Sequence, residues 1–152
     1  MVRELSQSEI SNFLDSQRFA RLGCHVDGET YVVPITFARD GDRLVGQTKA
    51  GKKVDMMRKN PVVCLQMDAV TSFAEWTSVI CWGRFEELKG QEANDAMGSL
   101  IDHMESAFDD IGPTNRSLRD ITPAEPDAIP QVAIVYAIHL QKMTGRAETP
   151  DA

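Results

Sequence analysis

Cysteine is scarce in this chain, and the few cysteines present form no recognisable pattern. Cys24, Cys64 and Cys81 are odd in number, far apart, and set within apolar runs. This arrangement excludes a disulfide framework and offers no metal-ligand spacing. We therefore expect small buried hydrophobic residues in a reducing compartment, and no metal site.

The chain also lacks long apolar runs and an excess of positive charge. No stretch approaches the roughly 20 apolar residues of a membrane-spanning helix, and the first residues lack the apolar segment of a signal peptide. The 23 acidic residues outnumber the 16 basic ones, and the net charge of −7 disfavours nucleic-acid binding. These absences predict a cytoplasmic protein that contacts neither membrane nor nucleic acid.

Patterns typical of both helices and strands are present. A capping box at Ser6 and Glu9 predicts a short opening helix, an amphipathic segment follows from Val54, and apolar periodicity predicts a helix from about 91 to 108. Asp27-Gly28 and Asp40-Gly41 are hairpin turn signals between strand-like runs. Those runs occupy residues 19–26, 30–38, 43–48, 61–67, 76–88 and 131–140.

The order of these patterns predicts one α+β domain, residues 1–146, built on a mainly antiparallel six-stranded β-barrel with about three flanking helices. Residues 147–152 are predicted to be a disordered tail. The range 109–130 is rich in proline and is expected to be a loop that serves as a lid. Pro34 lies inside a predicted strand, where it removes a hydrogen-bond donor. It therefore indicates a bulge, an edge strand, or a ligand as the strand's neighbour.

The segment with the sequence GQTKAGKK, residues 46–53, is the most informative part of the chain. It follows a short apolar strand and precedes the amphipathic segment, so a glycine-containing turn leads into a helix. Free backbone N–H groups and the positive end of a helix then meet at one place. Thr48, Lys52 and Lys53 complete a receptor for a phosphate group.

Two phosphate ligands compete for this segment, a nucleoside triphosphate and flavin mononucleotide. The spelling G-x-x-x-x-G-K matches a Walker motif, but Lys53 stands where a Ser or Thr would bind magnesium. The hairpins also disagree with the alternating βαβ units of triphosphate-binding folds. The sequence therefore favours a monophosphate ligand.

Several segments, taken in order, resemble those of one known family. They are Tyr31 to Phe37, Gln47-Thr48 followed by Gly51-Lys52-Lys53, Arg58 to Cys64, Trp76 to Val79, Gly83 to Leu88, and Thr144 to Glu148. Together they resemble the FMN-binding split barrels of the pyridoxamine 5′-phosphate oxidase-like superfamily, and most closely its nitroimidazole-resistance (Nim-type) branch. The resemblance covers residues 20–146.

The resemblance implies a homodimer with FMN at the interface between the subunits. Pro34, Ile35 and Thr36 match the strand that lies along the flavin ring. The residues that match the loop holding the phosphate and ribityl chain are Gln47, Thr48, Lys52 and Lys53. Trp76 is expected to border the flavin of the other subunit.

The resemblance also implies a function, with alternatives left open. An FMN-dependent oxidoreductase would pass electrons from a reduced nicotinamide to a small organic acceptor. The alternatives are a non-catalytic binding protein for FMN, haem or a deazaflavin, and a cofactor-free dimer. Gly51-Lys52-Lys53 replaces the Ser-Arg-Lys signature of the oxidase branch, so oxidation of a B6 vitamer is not expected. The three histidines share no motif, and no catalytic residue is assigned.

Overall fold

The structure is a computed structural model that describes residues 1–109 and 133–151, with side chains as far as residue 106 in the first range. Its helices are α1 (Gln7–Ser16), α2 (Lys52–Lys59) and α3 (Gly90–Asp109). Its strands are β1 (Val2–Glu4), β2 (Phe19–Val26), β3 (Glu29–Thr36), β4 (Ala38–Asp40), β5 (Arg43–Lys49), β6 (Val62–Ser72), β7 (Glu75–Leu88) and β8 (Ala133–Glu148). Most of the predicted lid, and residues 131–132 of the last predicted strand, lie outside the described residues.

The eight strands form one antiparallel sheet in the order β3-β2-β6-β7-β8-β5-β4, and β1 adds to the outer part of β8. The two end strands, β3 and β4, do not pair with each other, so the sheet curls without closing. The predicted α+β class and split barrel are confirmed. The described residues form eight strands rather than six, because β1 was not predicted and one predicted strand is divided.

That division occurs at Phe37, between β3 and β4. β3 pairs with β2, whereas β4 pairs with β5, so the chain changes partners within two residues. Phe37 is buried in the core, and its N–H donates to the carbonyl of Arg18 at 3.0 Å instead of joining a ladder. The periodicity of 30–38 could not show this corner because the apolar pattern continues through it.

The hydrophobic core lies on both faces of the sheet. Inside the barrel, Ile10 and Leu14 of α1 and Met57 of α2 pack against buried strand residues such as Leu22 and Leu65. The capping box predicted for α1 is present, with Ser6 Oγ accepting from the Glu9 N–H at 3.2 Å. The two helices therefore close the barrel interior.

A second, smaller cluster lies on the opposite face of the sheet. Ala96 and Leu100 of α3 pack against Ala38 of β4, Val45 of β5 and Ala137 of β8. No helix of the described chain is long and apolar enough to cross a membrane. The sheet around β5 is thus covered on both faces.

The last strand extends beyond the predicted domain boundary at residue 147. Ala147 is buried and pairs with both Arg3 of β1 and Thr77 of β7. Glu148 accepts a hydrogen bond from Trp76 Nε1 at 2.9 Å. The first two residues of the predicted tail therefore belong to β8, where β1 supplies a pairing partner that the sequence did not reveal.

Gly83 of β7 offers a test of this packing, because it lies at a register shift between β7 and β8. A Cβ at this position would stand 2.5 Å from the carbonyl oxygen of His139, a backbone atom that cannot move aside. We predict that Gly83→Ala lowers the free energy of unfolding by about 1–3 kcal/mol. Urea denaturation measures this change.

The matched control is Gly98→Ala, at a position in α3 where an added Cβ meets nothing within 4 Å. Because alanine is the better helix former, this variant is expected to gain about 0.5–1 kcal/mol. Equal effects of the two substitutions would contradict the close approach at Gly83.

Candidate functional site

The predicted strand–turn–helix arrangement is observed at residues 43–59, where β5 is followed by α2. Gly51 occupies the N-cap position of α2 with extended backbone, and no side chain caps the helix. The N–H groups of the first turn are therefore left for solvent or an anion. Basic side chains at Lys52 and Lys53 begin the same turn.

The two lysines of this turn have different surroundings. Lys52 forms an ion pair with Glu29, and its ammonium lies 4.8 Å from the centre of the Tyr31 ring. The hydrogen bond to Glu29 raises the pKa of Lys52. Lys53 is half-buried and has no ion pair within the described residues. Lys53 is thus the lysine of this turn whose charge is not already compensated.

Thr48 and Gln47 lie on opposite faces of β5, since successive strand residues alternate. Gln47 is on the same face as Val45, which packs in the α3 cluster. Thr48 is on the barrel face with Gly46 and is buried, and its hydroxyl donates to the carbonyl of Lys49 at 3.1 Å. The structure therefore does not bring the two predicted residues to one face.

β3, which contains the residues predicted to lie along the flavin ring, ends close to β5. Pro34 is exposed on β3, which is an edge strand that pairs with β2 without a bulge. Ile35 points into the core and is buried. The Thr36 carbonyl oxygen lies 3.2 Å from the place where a Cβ on Gly46 would stand. Thr36 is therefore beside the predicted phosphate segment, and Ile35 anchors the strand from the opposite face.

Trp76 lies far from these residues within one chain. It pairs with Val70 and Glu148 at one end of β7, whereas Leu88 at the other end pairs with Val135, the neighbour of Gln47. The strand between Trp76 and Leu88 spans about 40 Å at the rise of an extended chain. Only a second chain could bring a Trp76 to the phosphate segment.

A depression of about 450 Å³ adjoins the start of α2, but its charges do not suit a phosphate. Its lining residues are Val26, Asp27, Glu29, Gly51, Lys52, Asp55, Met56 and Lys59. Three carboxylates there would repel a dianion, and one of the two lysines is already paired with Glu29. Lys53 is not among the residues that line this depression. Within the described residues, no cluster of His, Cys, Asp and Glu could hold a metal ion.

Sequence reasoning missed two contributors to this region, Glu29 and Tyr136. Glu29 lies in the β2–β3 hairpin and reaches Lys52 only because α2 packs on β2. Tyr136 lies on β8, directly opposite Gly46 of β5, and its buried hydroxyl has no hydrogen-bond partner among the described residues. Glu29 depends on helix packing and Tyr136 on strand register, and a single sequence carries no signal of either.

Comparison with known proteins matches residues 6–147 to the family described as pyridoxamine 5′-phosphate oxidase. A relative, the uncharacterized protein RA0666 of Rhizobium meliloti, is 41% identical over 87 residues. That match covers 57% of this chain and 58% of the relative, so it spans little more than half of either protein.

Two solved structures are similar over nearly the whole chain. An FAD-binding protein of Mesorhizobium loti is 31% identical with a TM-score of 0.73, covering 98% of this chain and 99% of the other. A candidate 5-nitroimidazole antibiotic resistance protein of Bacteroides thetaiotaomicron is 18% identical with a TM-score of 0.71, covering 97% and 89%. The second likeness shows the fold alone.

Proposed function

The chain belongs to the pyridoxamine 5′-phosphate oxidase family, and from this premise we propose that it is an FMN-binding oxidoreductase. It would pass electrons from a reduced nicotinamide to a small organic acceptor. The observation that supports flavin binding is the start of α2, which no side chain caps. Lys53, whose charge has no ion-pair partner among the described residues, and Thr48 lie close to it. The similarity to the FAD-binding protein of Mesorhizobium loti supports a flavin for this chain too.

The residues present fit a flavin monophosphate. The first turn of α2 and Lys53 would hold the phosphate, and rotation of the Thr48 hydroxyl away from Lys49 would add a donor. Pro34 and Thr36, on one face of β3, would lie along the ring, with the backbone between them supported by the buried Ile35. The flavin supplies hydride and single-electron transfer, and the protein supplies binding, orientation and access.

The Nim-type branch remains our proposal for the position of this chain within the family. It is supported by the sequence segments described above and by the shared fold of the Bacteroides protein. This placement favours a small organic acceptor over a B6 vitamer, because Gly51-Lys52-Lys53 differs from the Ser-Arg-Lys signature of the oxidase branch.

FAD is a second candidate, favoured by the Mesorhizobium loti structure. An anion site at the start of α2 would serve the phosphate of FMN or part of the diphosphate of FAD. Chromatography and mass spectrometry of the cofactor released by denaturing the purified protein separate the two. Haem or a deazaflavin is recognised beforehand from the absorbance spectrum of the intact protein.

Electron transfer is tested by mixing the flavin-loaded protein with NADH or NADPH without oxygen. Loss of the flavin absorbance, and its return when a nitroaromatic or quinone acceptor is added, is the expected result. A flavin that no nicotinamide reduces would indicate a binding protein without turnover. Colourless protein with no affinity for FMN or FAD would overturn the proposal.

We also propose a homodimer, formed through the outer face of β3, β2, β6, β7 and the end of β8. No helix of the described chain covers this face. It exposes large apolar side chains: Phe19 at 67%, Val32 at 60% and Val62 at 51%.

A two-fold axis through this face would bring Trp76 of one chain toward the phosphate segment of the other chain. The face combines these residues with charges of both signs, such as Arg21 and Asp68 at 3.4 Å.

The dimer predicts an effect for Ile80→Arg, because Ile80 lies in the middle of this face between Gln66 and Thr144. We expect the wild-type protein to have twice its 16.9 kDa chain mass by light scattering, and the variant to have the mass of one chain. Ser99→Arg on the exposed side of α3 is the control and should remain dimeric. A wild-type monomer, or a dimeric Ile80→Arg, would contradict this interface.

The unequal surroundings of the two lysines predict unequal effects on flavin binding. Lys53→Ala should weaken FMN binding by roughly 10- to 100-fold, the loss expected for a charged hydrogen bond. Lys52→Ala should weaken it less, because Lys52 already pairs with Glu29. The combined Lys52→Glu and Lys53→Glu variant should bind FMN worst of all.

Flavin fluorescence titration measures these affinities, and thermal melting of the flavin-free variants controls for folding. Equal losses at the two lysines would show that both hold the phosphate. Unchanged affinity in the double variant would remove the phosphate site from this turn.

A further inference from the structure

The hydroxyl of Tyr136 is an unusual feature of the barrel interior. The side chain is 1% exposed, and its oxygen is the buried side-chain polar atom that lacks a hydrogen-bond partner in the described part of the chain. Burial raises the pKa of Tyr136 well above its usual range, so the hydroxyl stays protonated and can donate. The ring packs on Phe85 with 5.7 Å between centroids, which a phenylalanine would do equally well.

An unpartnered buried hydroxyl lowers stability, because the group loses its bonds to water and gains none. Phenylalanine at this position would keep the packing and avoid that loss. Among the described residues, the hydroxyl therefore contributes no interaction that a phenylalanine ring would lack. Such a group calls for a hydrogen-bond partner, and the described residues supply none in this arrangement.

The surroundings of the hydroxyl identify that partner. A Cβ on Gly46 would stand 2.6 Å from Tyr136 Oη and 3.2 Å from the Thr36 carbonyl oxygen. The two polar atoms therefore approach the same point, from β8 and from the end of β3. No ladder joins β3 to β5 in the described residues, so this is the open seam of the barrel.

We propose that Tyr136 is a positioning residue for the flavin, and that its hydroxyl donates to the Thr36 carbonyl once a flavin lies along β3. This inference rests on the proposed function. A ligand held against Pro34 and Thr36 from outside would press the end of β3 toward β5 and close the seam. The hydrogen bond then forms in the bound state only, so its free energy adds to flavin affinity and fixes the strand beneath the ring.

The test is Tyr136→Phe, compared with Tyr31→Phe, which alters the other of the two tyrosines in the chain. Tyr136→Phe should weaken FMN binding about 3- to 10-fold, as expected for one neutral hydrogen bond. The melting temperature of the flavin-free variant should be unchanged or raised. Tyr31→Phe keeps its ring under Lys52 and should leave the affinity nearly unchanged.

A second measurement observes the hydroxyl directly. Protein labelled with carbon-13 at the tyrosine ζ position gives two resonances, and Tyr31→Phe identifies the one from Tyr136. Addition of FMN should shift the Tyr136 resonance in the direction of a stronger donor. This readout needs neither turnover nor a variant at Tyr136.

The outcomes separate this inference from the proposed function. Wild-type protein that binds no flavin defeats the proposed function. Wild-type protein that binds flavin, together with a Tyr136→Phe variant that binds it equally well, overturns the role of Tyr136 alone. A flavin-free Tyr136→Phe variant that melts several degrees lower would also overturn it, because the hydroxyl would then already be stabilising the empty protein.

Discussion

The pairing between β7 and β8 is the constraint on which the rest of this structure depends. Among the residues that the structure describes, one part of the sheet, β3-β2-β6, is joined to the other part, β5-β4, only through this ladder. The two strands pair from Trp76 with Glu148 to Leu88 with Val135, and the register shifts between Trp82 and Gly83. Because both strands are long, one end of the ladder adjoins the phosphate segment and the other projects Trp76 far from it. The separation of the predicted site residues is a direct result of this geometry.

Features set by neighbours in the sequence were predictable. The capping box at Ser6, the hairpin at Asp27-Gly28 and the turn between β5 and α2 all depend on a few adjacent residues. Features set by distant parts of the chain were not. The corner at Phe37 arises because β4 pairs with β5, and Ala147 lies within β8, where β1 pairs with it. Local propensity has no access to either partner.

The candidate site shows the same division between local and distant causes. The proposed anion site at residues 46–53 rests on a glycine turn, a helix start and two lysines, all of which are adjacent. Which lysine could pair with an anion depends on Glu29. This residue is remote in sequence and forms an ion pair with Lys52. The alternation of β5 likewise separates Gln47 from Thr48, although the sequence treats them as one pair. Strand alternation and ion pairing thus distinguish residues that the sequence analysis assigned to one phosphate segment.

The open seam between β3 and β5 connects the fold to the proposed chemistry. A closed barrel would pair the edge of β3 with its own strands, and no backbone carbonyl there would remain for another partner. The corner at Phe37 prevents that closure, since it sends the chain to β4 before β3 can join β5. The exposed edge at Pro34 and Thr36 and the unpartnered hydroxyl of Tyr136 are therefore consequences of one topological event. Because the sheet does not close, the edge of β3 stays available to the proposed ligand, and the Tyr136 hydroxyl lies next to that edge.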